Sequence, residues 1–348
     1  MSKSSDHIDR TLRTLKKKYV AVHKKRMRPW HAWFMVGIFA GMTAIAGIAA
    51  NLSGSFEGIF AARLSGAGKS LVTIKGKYSE FYNFPKRFFS EANLSQKKIL
   101  RVTDAQYLSL KKMHNGIVPY AFARVEYDAS VYGATTPQGI KIGDPAFPKL
   151  NNGHPRWEVM AHEQGHNFFG GTSAFYYTLA VPGPFLQESL AVLSAFYTYH
   201  DIIENSRIYQ MDGTMFRSLR YDFDNGRKYQ EKQFNAYGIA GTPFNEYDVL
   251  TSQALDYKMI LFGEKYGWQN YTKVTKAFED GIAEKFDFHR DGVSGIERST
   301  YVIAVLSAAF AKDFRAEFAE LHFPIDDALY GKMYGIIREY INTAEARK

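Results

Sequence analysis

The chain contains no cysteine. That absence excludes a disulfide scaffold, thiol catalysis and any Cys-ligated zinc or iron–sulfur site, so a metal site here draws on His and carboxylate ligands. It leaves the compartment open, because 348 residues, 46% of them hydrophobic, fill a core without disulfide staples. Internal repeats and low-complexity tracts are also missing. With 23% charged residues, 27 Phe and 23 Tyr, the chain is not wholly disordered.

A further absence is local. No Asp, Glu, Lys or Arg occurs from Pro29 to Phe56. Within that stretch, Ala32 to Ala50 is apolar apart from its glycines and one Thr, with Trp30 and Trp33 at its near end. About 20 apolar residues span a bilayer as a helix, Trp favours the interface, and glycines such as Gly37, Gly41 and Gly47 are commoner in membrane helices than in soluble ones. Just before it, residues 1–28 hold ten Lys/Arg against Asp6 and Asp9, a net of +8 within a total of +9. The chain has 44 basic and 35 acidic residues, so the other 320 carry 34 and 33 and are nearly neutral.

The positive-inside rule then places the N-terminus in the cytoplasm and the chain beyond about residue 53 outside. Ile8, Leu12, Leu15, Tyr19 and Val22 recur at helical spacing, which suits a basic amphipathic helix on anionic lipid. A cleavable signal peptide gives the same orientation. Its basic region is normally shorter, however, and the small-residue cleavage site around Ala44–Ala50 is weakly defined. The expected organisation is a cytoplasmic tail (1–28), a membrane-spanning signal anchor through the lipid bilayer (29–53), a tether (54–95) and a folded domain (96–348). The charge orients the protein in a membrane; no nucleic-acid partner is expected.

Ser65-Gly66-Ala67-Gly68-Lys69-Ser70 ends like a phosphate-binding loop, but Arg63 stands where the first Gly belongs, so no nucleotide site is expected. Lys98–Val102 and Tyr120–Tyr132 have β-type patterning, and Gly139–Gly143 reads as a short strand bounded by glycines. From Pro155 onward the period is helical. The expected fold class is α+β, a small β-rich part followed by a helical one.

His162-Glu163-Gln164-Gly165-His166 is an HExxH motif on an expected helix from Trp157 to Phe169, ended by Gly170-Gly171. Residues four apart share a helix face, so both imidazoles reach one metal ion, and Glu163 stands beside them to accept a proton from an activated water. Catalytic zinc usually takes three protein ligands. Twenty-two residues after His166, Glu188 lies in the first turn of a second expected helix, running from after Pro182-Gly183-Pro184 to about His200. A carboxylate on that otherwise apolar face calls for a cation; a surface acid near the helix dipole is the plainer reading, and Glu204 is a weaker ligand candidate. His154, His200, His289 and His322 have no ligand spacing and read as surface or capping residues. Asn51, Asn93 and Asn270 open glycosylation sequons.

HExxH followed by Glu188 in an aromatic-Leu-polar-Glu-x-x-Ala helix resembles the gluzincin zinc metallopeptidases. His-Glu-Gln-Gly-His-Asn is most similar to the enhancin-like, mucin-cleaving group. Val131–Gly143 resembles the segment before that family's motif helix, and Leu261–Trp268 and Leu306–Ile325 its later helical signatures. The resemblance covers about residues 120–330. It implies a zincin-like metallopeptidase domain, with Zn2+ on His162, His166 and Glu188 and with Glu163 as general base and then acid. It also implies a Tyr or His donor to the oxyanion; Tyr247 fits the family distance, with Tyr237 and Tyr257 as rivals.

The aminopeptidase branch carries an acid that captures the substrate's free amine. Gly133–Gly139 has none, so the resemblance favours an endopeptidase acting on proteins or glycoproteins, with Ile140–Ile142 pairing with the substrate chain. Two other readings stay open: an inactive gluzincin-fold membrane protein with a structural or partner-binding role, and a metal-dependent hydrolase of non-peptide bonds.

Overall fold

The computed structural model describes residues 71–172, 176, 185–238, 253–279, 282–286, 288 and 293–346. The basic tail, the apolar segment 29–53 and the Ser65–Ser70 run lie outside the described residues. Five strands make one mixed sheet in the order β1–β2–β3–β5–β4: β1 (Leu71–Lys75), β2 (Ser79–Pro85), β3 (Ala123–Tyr127), β4 (Gly133–Thr136) and β5 (Gly139–Ile142). β1 and β2 are antiparallel, while β3 runs parallel to β2 on one side and to β5 on the other. Parallel neighbours need a long crossover, and the β2–β3 connection holds α1 (Lys86–Glu91) and α2 (Gln96–Met113). β4 and β5 close as a hairpin with Thr136 opposite Gly139, which leaves β4 at the sheet's edge.

Two expectations change here. Residues 71–95, expected within the tether, are folded: Phe81 and Phe84 of β2 and Phe88 of α1 are fully buried, with ring centroids 5.1 and 4.9 Å apart in successive pairs. Lys98–Val102, expected as a strand, is the start of α2. Ile99, Val102, Gln106, Leu110 and Met113 recur every three or four residues, and all are buried. Five residues with Ile and Val fit either period; the eighteen-residue pattern decides it.

The remaining elements are helical. They are α3 (Trp157–Thr172), α4 (Phe185–Glu204), α5 (Gly213–Gln233), α6 (Gln253–Tyr266), α7 (Tyr271–Glu279), α8 (Gly295–Phe310), α9 (Arg315–Ala319) and α10 (Asp327–Ala346). α4 packs against α2, α3, α5 and α6. Its Leu186, Leu190, Leu193, Phe196, Tyr199 and Ile202 are buried, as befits a helix apolar on most sides. α8 is held at its start by a capping box between Ser294 and Glu297 and is buried from Arg298 to Phe310. The architecture is thus α+β, with two helices inserted between β2 and β3 and an all-helical part after β5. No described helix is long and apolar enough to cross a membrane.

Candidate metal centre

α3 sends His162 and His166 from one face, and α4 crosses it with Glu188 in its first turn. His162 Nε2 and His166 Nε2 are 3.0 Å apart, and Glu188 Oε2 is 3.2 Å from the first and 3.6 Å from the second. Tetrahedral zinc with bonds of about 2.0–2.2 Å spaces its donors by about 3.4 Å. The triangle matches that spacing, so the three residues fit a four-coordinate dication with one position left for water or substrate. Among the described residues they are the one His/Cys/Asp/Glu group whose ligand atoms lie within 4.8 Å of one another.

The close crossing depends on Gly165. A Cβ there would stand 2.6 Å from Ser194 Cβ and 3.3 Å from Ala191 Cα, both on α4. Glycine at the fourth motif position therefore lets the helix bearing Glu188 approach the helix bearing the histidines. On the sheet side, Asn167 Nδ2 donates to the Gly139 carbonyl at 2.6 Å and ties α3 to β5.

Glu163 is 8% exposed and faces the start of β4. A Cβ at Gly133 would lie 2.3 Å from Glu163 Oε1, so the bare backbone there makes room for the carboxylate. β5, expected to receive the substrate, is paired on both sides, by β3 and β4. Its backbone groups are already engaged, and of the two strands with one described neighbour, β1 and β4, it is β4 that begins beside Glu163.

The metal-free charges hold one another. Burial pulls His162 down, but its hydrogen bond to Glu188 and the nearby Glu163 and Glu188 charges win and push it up to about 9. Burial acts upward on Glu188; the His166 charge and the hydrogen bonds of both imidazoles overcome it and hold the carboxylate below its usual range. Glu163 moves the other way, because burial raises it more than the two imidazoles lower it. A carboxyl raised in this way takes up a proton more readily than a free one.

The other expected residues fall elsewhere. Tyr247 and His289 lie outside the described residues, as does the Tyr237 side chain. Tyr257 lies under the Arg227 guanidinium, 5.6 Å from its ring centroid, and against Phe234. Glu204 is exposed at the far end of α4, about 24 Å along the helix from Glu188. His154 stacks on Tyr221, His200 stacks on Trp268, and His322 is exposed.

Two residues near the centre escaped the sequence reading. Tyr176 meets His166 Nδ1 through its hydroxyl, and nothing local in the sequence marks it. Asp256 of α6 is 2% exposed; burial pushes it up to about 7 against the nearby Ser189 hydroxyl and the His162 charge. An acid between Leu255 and Met259 on a buried helix was the available signal, the same one that marked Glu188.

No family model matches the chain, and no curated protein matches it. One similar solved structure is described as a functionally unknown conserved protein mutant from Bacillus anthracis. It is 13% identical with a TM-score of 0.48, over 78% of this chain and 52% of that chain, so this chain spans about half its length.

Proposed function

We propose that the protein is a single-pass, membrane-anchored, zinc-dependent endopeptidase with its N-terminus in the cytoplasm. Its zincin-like catalytic domain would act outside, on peptide bonds of extracytoplasmic proteins or glycoproteins. The observation that carries this reading is the meeting of His162, His166 and Glu188 at zinc-ligand spacing with the buried Glu163 beside them. Bound zinc would supply a Lewis acid that polarises the scissile carbonyl and acidifies a water. Glu163 takes the proton of the attacking water and delivers it to the leaving nitrogen. The edge of β4 lines up the extended substrate by backbone hydrogen bonds, and Gly133 lets that strand run close to Glu163. The uncharged segment 29–53 behind a +8 tail supports the anchor and its orientation.

The test is metal analysis of the purified full chain combined with Glu163→Gln. Stoichiometric zinc in both proteins is expected, with proteolysis in the variant reduced about 100-fold or more. A zinc-free wild type, or undiminished proteolysis in the variant, sinks the reading.

A further inference from the structure

The two ring nitrogens of His166 face different partners. Nε2 looks into the ligand triangle, and Nδ1 meets the Tyr176 hydroxyl. That hydroxyl also lies 3.3 Å from the Gln187 backbone carbonyl, and Gln187 Nε2 donates in return to the Tyr176 carbonyl at 2.8 Å. A carbonyl only accepts, so the Tyr176 O–H points to Gln187 and its oxygen is left to accept from His166. In that arrangement Nδ1 carries the proton, and the nitrogen that offers a lone pair is Nε2, the one that faces Glu188 and His162. Gln187 is the residue before Glu188, so this chain of two hydrogen bonds joins the second His ligand on α3 to the backbone beside the carboxylate ligand on α4. The Tyr176 ring is 5% exposed and stacks on Phe169 with centroids 5.7 Å apart, which holds the phenol in place independently of its hydroxyl.

We propose that Tyr176 is a positioning residue of the metal centre: its hydroxyl sets the tautomer of His166 and holds that ligand in register with Glu188. The proposal rests on the zinc reading above and adds to it a residue that touches neither metal nor substrate. A metal-bound imidazole whose outer nitrogen loses its partner typically binds its metal 10–100-fold more weakly.

Tyr176→Phe removes the hydroxyl and keeps the ring on Phe169. Zinc affinity of the full chain is measured by competition with a chromophoric chelator, the ligand field by the absorption of the cobalt(II)-substituted protein, and folding by melting of the metal-free protein. The expected result is zinc bound about 10–100-fold more weakly, a shifted cobalt spectrum and an unchanged metal-free melting temperature. Equal affinity with an identical spectrum overturns the proposal, and so does weaker binding matched by an equally lowered metal-free melt, which marks a packing role. Zinc content of the wild type tests the underlying reading separately: a wild type that takes up no zinc overturns both, whereas a zinc-binding wild type with an unaffected variant overturns the Tyr176 assignment alone.

Discussion

A single methyl group at position 133 would stand 2.3 Å from Glu163 Oε1. Gly133→Ala is therefore expected to push the carboxylate aside without touching His162, His166 or Glu188. Displacing a catalytic group by about 1 Å costs about 100-fold in rate, so kcat should fall by that order while zinc content stays stoichiometric. Parallel kinetics and metal analysis check this; full activity in the variant would show that Glu163 tolerates the methyl or does no chemistry. At this scale the sequence was legible where spacing is local. His162, Glu163 and His166 share one helical turn, and Glu188 is conspicuous as an acid on an apolar helix. Gly133 and Tyr176 were not legible, because each reaches its partner through the fold: Gly133 approaches from a strand thirty residues earlier in the chain, and Tyr176 stands beyond the end of α3.

The crossing of α3 and α4 is the element on which the centre depends, and Gly165 sets its closeness. Gly165→Ala puts a Cβ into Ser194 and Ala191, and overpacking of this kind costs about 1–3 kcal/mol. The helices must separate or tilt, so the variant should lose stability and also bind zinc more weakly, since Glu188 is drawn away from the imidazoles. Denaturant melts and zinc titrations read the two effects; unchanged values in both would mean that the crossing yields without cost. The helices themselves were readable from their long periods. The strand expected at Lys98–Val102 failed because five residues do not separate the two periods, and the first two strands were missed because β2 has few residues between its aromatic anchors and α1 follows at once.

The helical part is joined by a buried polar knot. Asp222 Oδ2 accepts from the Glu158 backbone N–H at 2.8 Å and from the Tyr199 hydroxyl, linking α5 to α3 and α4. Burial, with the Glu158 charge behind it, pushes Asp222 up to about 6. Unfolded, an Asp releases its proton near pH 4. The folded protein holds the proton longer, so this group's contribution to stability is complete below about pH 4 and is lost as pH rises to about 6. Asp222→Asn keeps one oxygen for both hydrogen bonds and cannot ionise. Its stability relative to wild type should climb across that window, by up to about 3 kcal/mol. Denaturant melts of the metal-free proteins at pH 4, 5, 6 and 7 measure the difference, and a constant offset at every pH refutes the assignment.

The two rims of the sheet bear on how the protein behaves in a crowd. An exposed strand edge is a template for any other chain, and long flat edges invite aggregation. Here the β1–β2 register shifts between Val72 and Ile74, and β1 ends at Lys75, while β4 is only four residues long. On the reading proposed above, the β4 rim takes one extended peptide, and at four residues it is not the long flat edge that recruits other chains.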